Sequence, residues 1–118
     1  NNPKGFVLML EGGAVDWACH STFPGRMVEE MIDYNATVKS VMDWVEANSS
    51  WDETLLVVTG DHECGYVLGP GSNPALNPIV NNGKGQMPGF EFHSKSHTDT
   101  LIPAYLKGPG ADRLVAAY

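Results

Sequence analysis

A long amphipathic stretch set between two short apolar runs constrains this chain more than any other feature. From residue 26 to 47 the apolar positions Met27, Met31, Tyr34, Val38, Val41, Met42 and Val45 recur at spacings of three and four, while Glu29, Glu30, Asp33, Lys39, Asp43 and Glu46 fill the other faces. This is the pattern of an α-helix with one buried stripe, so the methionines and valines are core and the acidic face is solvated. The flanking runs, Phe6-Val7-Leu8-Met9-Leu10 and Leu55-Leu56-Val57-Val58-Thr59, are continuous and short, as in strands buried on both faces. Strand, helix and strand of these lengths predict one right-handed βαβ unit with parallel strands, and therefore an α/β fold.

The residues just beyond the two runs point to chemistry. Glu11, Asp16 and His20 come after the first, Asp61 and His62 after the second, and His97 precedes a third strand candidate at residues 101–106. In an open α/β sheet the crevice beyond the carboxyl ends of the strands collects ligands. Gly12 and Gly13 break the first run, and residues 14–20 read as a helical turn, on which Asp16 and His20, four apart, share a face. Asp61 and His62 are adjacent, so in a strand they would point to opposite faces; both serve one site if the backbone turns, and the run does end at Gly60. Each residue alone has a bland explanation as a cap, a surface pair or a satisfied histidine. Three segments bringing such residues to strand ends favour a metal site. Glu63 stays outside that set, and His93 lines it at most.

The acidic balance, 7 basic against 14 acidic residues, excludes a basic stripe for nucleic acid. The apolar runs are far too short to cross a bilayer, and no charged segment followed by an apolar one opens the chain as in a signal peptide. With 118 residues the chain is one domain at most. Cys19 and Cys64 are too few for a disulfide framework and read as small buried apolar thiols. Residues 69–89, rich in Gly, Pro and Asn, form a long loop-rich excursion, and Pro103 marks a strand start or an edge position.

At these residues the chain resembles the alkaline phosphatase family. Glu11-Gly12-Gly13-Ala14-Val15-Asp16-Trp17-Ala18-Cys19-His20 is similar to its E-G-G-x-x-D-x-x-x-H pattern, and Val58-Thr59-Gly60-Asp61-His62-Glu63-Cys64-Gly65 to its V-T-A-D-H-E-T-G segment. His97-Thr98, with Pro103 and Lys107-Gly108-Pro109-Gly110-Ala111, resembles its H-T-x-x-x-x-P-x-x-x-K-G-P-G-A stretch. The departures are Gly60 for alanine, Cys64 for threonine and Asp99 where glycine is frequent.

The resemblance implies a partial alkaline-phosphatase-like sandwich with a mostly parallel sheet and the long amphipathic helix. It also implies metal roles: Asp16, His20 and His97 on one zinc, Asp61 and His62 on a second, and Glu11 helping to hold magnesium. Imidazole and carboxylate suit zinc, and an oxygen ligand suits magnesium. The implied activity is hydrolysis of small phosphate monoesters by two-metal phosphoryl transfer with a serine nucleophile, the metals about 4 Å apart. The family's serine, bridging aspartate and phosphate-binding arginine lie upstream of its E-G-G motif. The chain is thus expected to be a C-terminal portion, residues 1–118, that carries no catalytic residue of its own and is inactive in isolation. Periplasmic or extracellular location is implied by the same likeness, as is association into a homodimer or through exposed surfaces. The alternatives are an inactive structural or metal-binding module, or another hydrolase or mutase of the superfamily.

Overall fold

The computed structural model describes residues 2–73 and 75–117. Two helices, α1 (Ala14–His20) and α2 (Pro24–Asn48), lead into strands β1 (Leu56–Val58), β2 (Glu63–Cys64), β3 (Val67–Leu68), β4 (Glu91–Phe92), β5 (His97–Thr98) and β6 (Tyr105–Lys107), and the short α3 (Ala111–Val115) comes last.

The expected long helix is present and two residues longer at its start than the periodic stretch. Pro24 sits in the first turn, where its fixed φ suits a helix and its missing N–H leaves nothing unpaired, and Phe23 before it is extended. At the other end Ser49 turns extended while its N–H still reaches the Val45 carbonyl. Lys39 grips both carboxylate oxygens of Asp43 one turn on, at 2.8 and 2.6 Å. The helix buries Val45 most deeply, and α1 packs along it, so Ala18, Cys19 and Val45 are the fully buried apolar residues among those described.

The sheet corrects the sequence reading. Three separate two-stranded ladders form, β1 with β6, β2 with β5 and β3 with β4, and all three are antiparallel. The α/β expectation therefore holds for the mixture of elements, and the mostly parallel sheet does not. Residues 6–10 form no strand: no described segment hydrogen-bonds alongside them, and Val7 is fully exposed. Hydrophobic character marks a strand, but backbone pairing requires a neighbour, and β1 takes β6 instead. The strand expected at 101–106 is instead β6, which begins only at Tyr105, beyond Pro103, which has no N–H to give a ladder. The Pro103 carbonyl accepts from the Thr59 hydroxyl at 3.3 Å.

Two glycines sit where no side chain fits. A Cβ on Gly108, which has φ +116°, would lie 2.0 Å from the Thr54 carbonyl oxygen, and one on Gly69 would lie 1.9 Å from that of Pro78. The second contact belongs to a tie that organises the 69–89 excursion. The buried Ser72 hydroxyl donates to the Gly69 carbonyl at 2.6 Å and accepts from the Asn77 N–H at 2.9 Å. The radius of gyration is 16.9 Å, against about 13–14 Å for a compact domain of this length. The chain is accordingly drawn out around a thin core, and the most extensive packing between its elements is that of α1 on α2.

Candidate metal centre

Asp16 and His20 stand one turn apart on α1, and His97 comes to them on β5. The β2–β5 ladder sets its position, with Cys64 directly opposite His97 and Glu63 opposite Thr98. Gly65, at φ +90°, lets β2 close on α1: a Cβ there would lie 2.9 Å from the Phe92 ring and 3.3 Å from Cys19 Cβ. The Thr98 hydroxyl donates to the Glu63 carboxylate at 2.5 Å and secures the other end of the ladder.

Three ligating groups converge. His97 Nε2 is 3.1 Å from Asp16 Oδ1 and 3.0 Å from His20 Nε2, and His20 Nε2 is 3.4 Å from Asp16 Oδ2. Donors held about 2.0–2.1 Å from a tetrahedral zinc ion lie roughly 3.3 Å from one another, so these separations are compatible with a shared zinc ion. The tautomers suit it as well. His20 Nδ1 lies 2.7 Å from the Lys95 carbonyl, an acceptor only, so this nitrogen carries the proton and Nε2 presents its lone pair to the cluster. Burial raises the Asp16 pKa, but the Cys64 contact and the neighbouring His20 and His97 outweigh it and hold the carboxyl below its ordinary value.

Cys64 completes the group. Its sulfur and the ligating atoms of Asp16, His20 and His97 all lie within 4.8 Å of one another. The thiol points to the Asp16 carbonyl at 3.7 Å. Burial, reinforced by Asp16, Cys19 and Glu63, pushes its pKa up to about 12. Sequence reasoning passed over this residue as a packing thiol. The available signal was its place two residues beyond His62, which in a strand puts both on one face.

Asp61 and His62 form a pair beside this cluster. His62 Nε2 is 3.3 Å from Asp61 Oδ2, and the His62 ring stacks on that of His97. Asp61 is largely exposed, whereas His62 Nδ1 is buried with no hydrogen-bond partner among the described residues. Glu11 stays apart: it is exposed, its carboxylate is folded back over Gly13, and it joins no metal-binding group among the described residues. His93 pairs loosely with Glu91 at 4.0 Å and stands outside the cluster. The nitrogen, oxygen and sulfur donors around Asp16 suit zinc. A magnesium cage of several oxygen ligands is not assembled by these residues.

Comparison with known proteins agrees with the motifs. The profile of the alkaline phosphatase family matches residues 1–114. The chain is 27% identical to alkaline phosphatase H of Pseudomonas aeruginosa, over 94% of its own length and 24% of that protein's. It is 26% identical to the alkaline phosphatase of Escherichia coli, over 97% of this chain and 25% of that one. With the streptomycin-6-phosphate phosphatase of Streptomyces griseus it shares 27% identity, over 94% and 26% of the two lengths. Among solved structures, the alkaline phosphatase of the Antarctic bacterium TAB5 superposes with a TM-score of 0.65 at 24% identity, over 86% of this chain and 28% of that one. A variant of the TAB5 enzyme with magnesium bound gives 0.64 at 25% identity, over 86% and 29%. The chain thus spans about a quarter of the length of these relatives. It belongs to the alkaline phosphatase family.

Proposed function

We propose that this chain supplies the metal-binding part of a phosphomonoesterase. The observation that carries the reading is the convergence of Asp16, His20 and His97 within 3.0–3.4 Å, with the Asp61–His62 pair stacked against it. In this reading Asp16, His20 and His97 hold one zinc, Asp61 and His62 contribute to a second, and Glu11 helps to hold magnesium with ligands supplied from elsewhere. The bound metals would supply Lewis acidity toward the oxygens of a phosphate monoester. This chain's residues set the geometry: Lys95 fixes the His20 tautomer, and the Cys64–His97 ladder position aims the His97 ring.

The serine nucleophile, a bridging carboxylate and a phosphate-binding cation belong, on this proposal, to other parts of the protein. The 118 residues alone would then bind zinc without hydrolysing phosphate esters. A periplasmic or extracellular setting and pairing of two copies complete the proposal. No helix among the described residues is long and apolar enough to cross a membrane.

Metal analysis with an activity assay tests the reading. The purified chain, stripped with chelator and resupplied, should retain about one zinc per chain and leave an aryl phosphate intact. Absence of bound zinc would remove the metal assignment, and metal-dependent hydrolysis by the chain alone would overturn the division of labour.

A further inference from the structure

We propose that Cys64 is a fourth donor to the Asp16–His20–His97 group, binding the ion as a thiolate and closing a coordination position that three ligands leave open. The inference rests on the metal reading above and goes beyond it in the identity, softness and openness of the site.

The geometry comes from the ladder. Residues directly opposite each other in an antiparallel pair share a face, with Cβ atoms about 4.5–5.5 Å apart. Cys64 and His97 are such a pair, so the sulfur is delivered to the same side as the His97 ring. All four ligating atoms lie within 4.8 Å of one another. Around a tetrahedral zinc, with Zn–S about 2.3 Å and Zn–N about 2.0–2.1 Å, sulfur and nitrogen stand roughly 3.6 Å apart. An inward swing of the sulfur, away from the Asp16 carbonyl that it touches at 3.7 Å, would bring it to that distance. On binding, the thiol proton passes to solvent and one S–metal bond forms; no electron is transferred.

Two consequences distinguish this arrangement from a packing cysteine. A set of one sulfur, two imidazoles and one carboxylate favours soft cations such as cadmium more than an imidazole and carboxylate set does. A substrate oxygen would also have to displace the sulfur to reach the ion, so the resting site is closed.

Cobalt(II) is the probe. The metal-free full chain, titrated with cobalt, should develop a near-ultraviolet sulfur-to-cobalt charge-transfer band that saturates at one equivalent. Cys64→Ser and the closely shaped Cys64→Thr should still take up cobalt and lack the band. Cadmium affinity should fall by at least about 100-fold in Cys64→Thr, beyond the loss for an indirect partner of a ligand, and zinc affinity by less. Cobalt uptake by the unaltered chain without the band would overturn the proposal and leave the metal reading intact. A band that persists in Cys64→Ser would overturn it too, by placing the sulfur elsewhere. No cobalt uptake at all would overturn both.

Discussion

His62 and His97 stack face to face, their ring centroids 3.4 Å apart and their planes 21° from parallel. His97 presents its Nε2 to Asp16 and His20, while His62 faces Asp61, so this one contact joins the two halves of the candidate site. His97→Ala would remove a donor and the surface on which His62 rests. We expect zinc affinity to fall by at least about 100-fold, beyond the usual loss for an indirect partner of a metal ligand. His97→Phe should restore the stack, and with it the melting temperature, without restoring zinc. Competition against a chromophoric chelator, paired with thermal melts, separates the two effects.

Acid should weaken the metal-free fold partly through Asp16. Its folded carboxyl is held below the ordinary value of 3.8, by Cys64, His20 and His97 against the opposing effect of burial. A depressed carboxyl contributes stability above the unfolded value, and that contribution is lost as pH falls through the lower folded one. Urea midpoints measured with chelator should therefore drop below about pH 4, and Asp16→Asn should flatten that drop. An unchanged acid slope in Asp16→Asn would contradict the assignment.

Alkali should act through Cys64, whose pKa burial and the nearby Asp16, Cys19 and Glu63 push from 9.0 to about 12. A raised pKa means that its contribution is full below the unfolded value and is lost as pH rises from 9.0 toward about 12. Metal-free protein should lose stability over that window more steeply than Cys64→Ala. At about pH 8 both thiols should alkylate much more slowly than free cysteine, which mass spectrometry after timed iodoacetamide exposure would read directly.

Gly108→Ala is expected to cost about 2–5 kcal/mol, since it combines a left-handed backbone with overpacking. The added methyl would meet the Thr54 carbonyl at 2.0 Å, where β6 leaves its ladder with β1. Equilibrium urea unfolding gives the number, and a loss below about 1 kcal/mol would show that the turn relaxes freely.

Val7→Lys should reduce self-association. Phe6, Val7, Leu8 and Met9 are each at least 65% exposed, a contiguous apolar surface of the kind that draws chains together. A charge at its centre opposes pairing of such segments. Sedimentation velocity at several concentrations should show less association in the variant; equal association would place the contact elsewhere.

The helix was legible because its residues repeat one pattern from 26 to 47, information that is entirely local. Strand partners were not, because pairing is decided by segments far apart in sequence: Leu55 to Thr59 reads equally well beside residues 6–10 or beside Tyr105 to Lys107. The Asp16–His20 spacing foretold their shared face, and His97 joined them as the motif order implied. Cys64 was overlooked because its meaning depends on standing opposite His97, which only the ladder reveals. Glu11, although close to the others in sequence, folds its carboxylate back over Gly13.

The cluster gathers side chains as far as 81 positions apart in the chain, whereas the ladders beside it are only two or three residues long. An ion held there would behave as a cross-link, removing freedom from the unfolded chain over a span that the short strands bridge weakly. Affinity for the ion then contributes directly to folding free energy, and the melting temperature should climb with the logarithm of free zinc. Thermal denaturation would in that case serve as a binding assay that needs no substrate.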